Sequence, residues 1–335
     1  YGVSGQVFHA PIITAVPQLK LTQVVERHGN ASQQRYPWVK VVQDVDVLLN
    51  DSEIDLVVIA TPNASHFELI QQALAADKHV VVDKPFTTTA KQAQQLIDFA
   101  RQRNKVLSVY HNRRWDGDFQ TVKRLLEAGH LGQLVEYEAH YDRFRPVLKP
   151  NAWREKGSLG SGLLFDLGSH LIDQAQVLFG LPEAVTADIG VQREAGQAVD
   201  YFEILLHYGN LRVRLKGGML VRELGPHFIL HGTAGSFVKY GMDPQEEALK
   251  QGESLLQPNW GAEPPAQWGL LNTEIGNLHF HGKVETVRGC YQAYYENIYD
   301  AIVHKAELAV KPEEARNTIR LIELAIESNE QKCTV

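Results

Sequence analysis

The chain has 335 residues, enough for two domains with separate cores, and its 44% hydrophobic and 22% charged residues are an ordinary globular composition. A net charge of −7 argues against a nucleic-acid partner, which requires a basic patch. No apolar run reaches membrane-span length and no signal segment is visible, so no membrane partner is expected. The two cysteines, Cys290 and Cys333, have no paired or metal-type spacing and fit a reducing cytoplasm.

From the amino end, Tyr1-Gly2-Val3-Ser4-Gly5-Gln6 gives Gly2 and Gly5 the spacing of the second and third glycines of G-x-G-x-x-G. The first glycine and its strand, about ten residues at typical strand length, are expected upstream of Tyr1. Lys20–Glu26 reads as a strand. Leu56–Ala60, Val80–Val82 and Val106–Tyr110 are continuous apolar runs, as parallel strands buried on both faces require. The stretches Ser65–Ala76 and Thr89–Arg103 between them read as helices. This alternation predicts a doubly wound parallel sheet.

After about Trp115 the pattern changes. Asp118–Ala128 reads as a helix. Leu134–Arg145 then alternates, with Val135, Tyr137, Ala139, Tyr141 and Arg143 on one face, which indicates an antiparallel sheet. A helical stretch, Leu163–Phe179, precedes strands at Ala184–Val191, Tyr201–Tyr208, Leu211–Leu220, Phe228–His231 and Ser236–Tyr240. Residues 241–290 carry no clear periodicity. Tyr291–His304 and Glu313–Gln331 read as closing helices. The predicted architecture is α/β: a dinucleotide-binding domain over residues 1–115, then an α+β domain over 116–335 with a large, mostly antiparallel sheet. One face of that sheet is expected to expose Tyr and Val side chains along Leu211–Leu220 and Ala184–Val191, an apolar patch suited to self-association.

Two constellations could carry chemistry. Asp83-Lys84-Pro85 follows the run Val80–Val82, and in an open α/β sheet the carboxyl ends of strands face the ligand crevice. A cis Lys84–Pro85 bond would aim the amine into that crevice. The alternative is a surface lysine beside a turn proline. Asp166-Leu-Gly-Ser-His170-Leu-Ile-Asp173 is the second. On an α-helix Asp166 and His170, i and i+4, would share a face, and a histidine oriented by a carboxylate is a general base near neutrality. Gly168 between them weakens the helix by about 1 kcal/mol against alanine, which a close approach would explain. The alternative is a salt bridge within the helix. No metal is expected, because no second ligand cluster stands beside this one.

Together with Thr61-Pro62-Asn63 and His66, these motifs are similar in order and spacing to the glucose–fructose oxidoreductase / inositol dehydrogenase (Gfo/Idh/MocA) family of NAD(P)-dependent enzymes. Val7-Phe8-His9, the run Ser108–Asp116, Phe144-Arg145-Pro146, Trp153-Arg154-Glu155, Asp173-Gln174 and Val238–Gly241 resemble its scyllo-inositol dehydrogenase (NADP) branch. Asp83 stands where the family usually has Glu, which keeps the charge and shortens the reach. The resemblance implies a Rossmann domain and an oxidoreductase that moves a hydride between a nicotinamide cofactor and a polyol or sugar, such as an inositol/inosose pair. A reductase of another keto- or anhydro-sugar is the alternative enzyme, and a non-catalytic NAD(P)-binding regulator the alternative of another class. The trio Lys84, Asp166 and His170 favours the enzyme.

The resemblance carries catalytic roles onto these three: His170 as base, Asp166 orienting it, Lys84 against the reacting oxygen. It assigns the cofactor to Gly2, Val3, Ser4, Gly5, Glu26, Arg27, Thr61, Pro62, Asn63, His66, Asp83 and Lys84. Asn112, Arg113, Tyr141, Arg143, Trp153 and Arg154 are the candidates for polyol recognition, since Arg offers a rigid donor fork and Trp a flat wall for a sugar ring. The alternatives are an exposed loop aromatic for Trp153 and a solvated strand residue for Arg143. Glu26, at the end of its strand, would bond a ribose 2′-OH and favour NAD. Arg27 would hold a 2′-phosphate and favour NADP, and of the two cofactors NADP is favoured. A homodimer or homotetramer is expected.

Overall fold

The computed structural model describes residues 1–149 and 155–335, so Trp153 and Arg154 lie outside the described residues. The chain divides into two compact units. The first comprises Tyr1–Trp115, Gln245–Trp260 and Cys290–Arg316; the second comprises Asp116–Pro244, Gly261–Gly289 and Asn317–Val335. The boundary at 115/116 is the one read from the sequence, but placing all of 116–335 in the second domain needs correction, because two later segments return to the first unit. The reason is packing. Tyr291, Tyr294, Tyr295 and Ile298 are fully buried beside Ile12, Val16, Val81 and Tyr110, and Leu249 and Leu255 join the same core. Each such side chain contributes roughly 1.5–3 kcal/mol of burial, which the segment 1–115 alone would forgo.

In the first unit, strands β1 (Gln23–Val25) and β2 (Lys40–Val42) form a parallel pair. Strands β3 (Leu56–Ile59), β4 (His79–Val82) and β5 (Leu107–Val109) form a parallel three-stranded sheet. Val80, Val81 and Val82 have no exposure, which is why this run carries no polar alternation. Thr89 starts the helix Ala90–Gln102 by accepting the Gln92 N–H at 3.2 Å. Helix His66–Ala75 packs beside it.

In the second unit, β6 (Leu134–Asp142), β7 (Ala184–Gly190), β8 (Tyr201–Tyr208), β9 (Leu211–Gly218), β10 (Phe228–Gly232), β11 (Gly235–Lys239), β12 (Gly269–Ile275) and β13 (Leu278–Val284) form one sheet. Its order is β13-β12-β11-β10-β6-β9-β8-β7, antiparallel except for the parallel pair β6/β9. The hairpin β12–β13 lies in the stretch that the sequence left unread. Its signal was the dipeptide Gly276-Asn277, both residues at positive φ (57° and 66°) in a two-residue turn.

The inward face buries Tyr137, Ala139, Phe202, Ile204, Leu206, Val213, Leu215, Phe228 and Leu230 without exposure. The expected apolar outward face is corrected here: along β9 the valine and leucine point inward, and Arg212, Arg214 and Lys216 point outward. Arg214 bonds Glu138 and lies 3.4 Å from Glu136 and 3.2 Å from Glu203. His140 stands between Glu138 (3.1 Å) and Asp142 (3.4 Å). Among the described residues no helix is long and apolar enough to cross a membrane.

Candidate active site

In the first unit the register aligns Ile59, Val82 and Val109 across three adjacent strands. Their carboxyl ends therefore deliver Thr61, Asp83-Lys84 and His111-Asn112 to one edge of the sheet. That edge is where an open α/β sheet receives its ligand.

His66, 1% exposed, ties two of these loops together. Its Nε2 lies 3.0 Å from the Thr61 carbonyl and its Nδ1 3.0 Å from the Pro85 carbonyl. It thereby fixes the loops that carry Thr61 and Lys84–Pro85. The Lys84–Pro85 bond is cis. Asp83 anchors the same turn: its Oδ1 accepts the Lys84 N–H at 2.9 Å, and its Oδ2 accepts the Ser4 hydroxyl at 2.5 Å. Behind it, His9 puts Nε2 4.0 Å from Asp83 Oδ2 and Nδ1 2.6 Å from the Tyr295 hydroxyl. Burial holds the His9 imidazole below its usual range, against the opposing pull of Asp83, and pushes the Tyr295 phenol well up.

The glycines fit a dinucleotide. A Cβ added at Gly2 would meet nothing within 4 Å, and one at Gly5 only the edge of Tyr1 at 3.8 Å; neither has a positive φ. The chain's own packing thus does not demand glycine at either position, whereas the approach of a pyrophosphate does.

Glu26, expected against the ribose, has partners within the chain. It is 7% exposed and accepts the Ala31 N–H (3.0 Å), the Ser32 N–H (2.8 Å) and the Ser32 hydroxyl (2.5 Å). Burial works against its charge, but the Ser32 and Ala31 bonds outweigh it and hold the carboxyl below its usual range. It closes the start of helix Ala31–Arg35. Arg27 next to it is exposed.

Of the proposed sugar-binding residues, Arg113 is 6% exposed and its guanidinium pairs with Glu246, one of the returning residues. Burial opposes that charge too, yet Arg113 and then Lys250 hold Glu246 at about 2. Arg113 is therefore bound into the first unit's own structure. Asn112 is buried at 6% exposure.

In the second unit, Asp166 and His170 do not lie on one continuous α-helix. Leu164–Gly168 forms a wide π-turn, and the α-helix proper is Ser169–Phe179, closed by Gly180 at φ 75°. This corrects the expected i, i+4 face. The glycine between them is explained by packing: a Cβ at Gly168 would sit 3.0 Å from Leu164 Cδ1 and 3.4 Å from Phe202 Cζ. Tyr141, on the inward face of β6, has its ring 6.5 Å from that of His170 and 5.2 Å from that of His227. Arg143 continues from the end of β6, its N–H bonded to the Gly218 carbonyl.

Beneath Tyr141 lies a buried polar group with no role in the sequence reading. His227 Nδ1 is 2.9 Å from Asp118 Oδ2, and Lys239 Nζ donates to Glu263 at 3.0 Å. Burial opposes the Asp118 charge, and His227 and Lys239 outweigh it. Asp118, on the helix Gly117–Glu127, and Lys239, at the end of β11, meet here. They hold the core of the second unit.

Residues 1–111 match the family described as "Oxidoreductase family, NAD-binding Rossmann fold", and residues 123–335 match "Oxidoreductase family, C-terminal alpha/beta domain". The chain is 45% identical over 335 residues to the oxidoreductase YdgJ of Escherichia coli, covering 100% of this chain and 96% of that protein. It is 41% identical to the scyllo-inositol 2-dehydrogenase (NADP(+)) IolW of Bacillus subtilis, covering 100% and 93%. The solved structure of yvaA from Bacillus subtilis superposes with a TM-score of 0.97 at 40% identity, over 100% of this chain and 95% of that one.

Proposed function

From the premise that the chain belongs to the Gfo/Idh/MocA oxidoreductase family, we propose that it is an NADP-dependent dehydrogenase of an inositol-like polyol or a sugar. The observation that carries this reading is the placement of Lys84 at the carboxyl end of β4, flanked by the ends of β3 and β5. The likeness of the whole chain to IolW supports the substrate class. NADP is favoured because Arg27 is exposed beside the ribose end of the strand, while the Glu26 carboxylate is bonded to Ala31 and Ser32.

Gly2, Val3, Ser4 and Gly5 would hold the pyrophosphate, Arg27 the 2′-phosphate, and Thr61, Pro62 and Asn63 the adjoining loop. When bound, the nicotinamide accepts the hydride that leaves the alcohol carbon. The chain's residues handle the proton. The roles that the family resemblance implies are His170 as the base for the hydroxyl proton, Asp166 as its partner, and the Lys84 ammonium against the negative charge that grows on the oxygen. Asn112, Tyr141 and Arg143 stay the candidates for the remaining hydroxyls.

The protein works in the cytoplasm, which suits its two free, exposed cysteines. It assembles with copies of itself through the outward face of the large sheet.

The test is a spectrophotometric screen of inositols and aldoses with NAD and NADP side by side. Reduction of NADP by an inositol is the expected result; no turnover with any polyol or sugar overturns it. Lys84→Ala and His170→Ala should each lower kcat by about 10²–10⁴-fold with the fold intact.

A further inference from the structure

We propose that His9 is a positioning residue for Lys84, locked by Tyr295 in the tautomer whose proton faces the Asp83 carboxylate. The inference rests on the reading of Lys84 as catalytic.

The Tyr295 hydroxyl and His9 Nδ1 are 2.6 Å apart, so one of them donates. If Nδ1–H donated, the lone pair of Nε2 would face Asp83 Oδ2 at 4.0 Å, an unfavourable encounter in a buried place. If the tyrosine donates, Nε2 carries the proton and the same encounter becomes attractive. Burial keeps the phenol protonated and the imidazole neutral, with one N–H to place. Nε2 has no hydrogen-bond partner among the described residues, so Asp83 is the group its proton addresses.

Tyrosine rings stand around the imidazole. Tyr110 lies with its ring 4.4 Å from that of His9, Tyr294 stacks edge-on against Tyr110 and Tyr295, and Arg114 acts on Tyr294 from behind. Asp83 is the anionic group facing the imidazole.

The consequence falls on the lysine. The Asp83 carboxylate is engaged by Ser4, which sits in the glycine turn, and by the backbone N–H of Lys84 itself. An N–H aimed at Oδ2 from 4.0 Å adds an electrostatic attraction to those two hydrogen bonds and holds the carboxylate toward the imidazole, and the Lys84 backbone is held with it. A residue that never touches substrate would thereby set where the ammonium stands.

His9→Phe keeps the ring packing and removes both nitrogens. His9→Gln keeps an N–H at the place of Nε2. We expect His9→Phe to lower kcat by about tenfold to a hundredfold, the scale of a misplaced catalytic group, with little change in melting temperature or in NADP affinity read by nucleotide fluorescence. His9→Gln should recover most of the loss. Independently of activity, ¹⁵N-histidine NMR of the cofactor-free wild type should show His9, assigned by its loss in His9→Gln, as the Nε2–H tautomer at neutral pH. In Tyr295→Phe the lock is removed and the two tautomers should mix.

An Nδ1–H tautomer or an imidazolium in wild type overturns the proposal, even where His9→Phe fails to fold. A folded His9→Phe with wild-type kcat does so as well. Lys84→Ala, run alongside, separates the readings: if it alone loses turnover, the role of His9 falls and that of Lys84 stands. If neither variant loses turnover, both fall.

Discussion

Single residues of the first unit show how a carboxylate's meaning depends on what reaches it. Glu26 and Arg27 were expected from the sequence as the pair that reads the ribose, but the engagement of the Glu26 carboxylate was not legible, because the Ser32 contact arises six positions away through a turn. With the Glu26 carboxylate capping Ala31–Arg35, Glu26→Ser should cost about 1 kcal/mol of stability and leave the NADP/NAD ratio of kcat/KM nearly unchanged. Arg27→Ala should lower that ratio roughly tenfold or more, as loss of a charge-assisted phosphate contact does. A large shift in Glu26→Ser at unchanged stability would return the discriminating role to it. Glu246 makes a second case. Its folded value, about 2, lies below the usual 4.5, so its ionised pairing with Arg113 stabilises the fold above pH 4.5 and is lost as pH falls toward 2. The stability gap between wild type and Glu246→Gln should be on the order of 2 kcal/mol at pH 7 and close across that window. Urea midpoints at pH 7, 4 and 2.5 measure it, and a gap that stays constant contradicts the assignment.

Among the elements, the strands with strong patterns were legible and the joints between elements were not. Val80–Val82 and Tyr201–Tyr208 read directly from their residues, because continuous or alternating burial leaves an unmistakable trace. The hairpin β12–β13 was missed because its outer strand is exposed on both faces and so carries no burial pattern; only its turn dipeptide identified it. The π-turn at Leu164–Gly168 was equally hidden, since a widened turn uses the same residues as an α-helix and differs only in backbone pairing. It changes the relation of Asp166 to His170 and explains Gly168 through Leu164 and Phe202. Gly168→Ala sets a gain in helix propensity of about 1 kcal/mol against crowding that costs about 1–3 kcal/mol. We expect a net loss of stability, together with a larger fall in kcat than in cofactor affinity. A stabilised variant of full activity would show that Leu164 yields freely.

For the molecule as a whole, self-association is an expectation, and the apolar sheet face on which the sequence rested it is instead charged along β9. The outward face of the large sheet sets Arg212, Arg214 and Lys216 beside Glu136, Glu138 and Glu203, a mixture of signs that can complement itself across a two-fold axis. We expect light scattering at micromolar concentration to give a dimer or tetramer mass, and Arg214→Glu to shift it toward the monomer with circular dichroism unchanged. A monomer mass for wild type rules this out. The course of the backbone has one more consequence, for the ribosome. The first unit's core is finished by Tyr291, Tyr294, Tyr295 and Ile298, and the roughly two hundred residues from Asp116 to Arg316 take on the order of ten to forty seconds to synthesise at about 5–20 residues per second. Throughout that interval the nascent nucleotide-binding half displays unfinished apolar surface. The helix Gln292–Val303, made long after the strands it covers, completes that core.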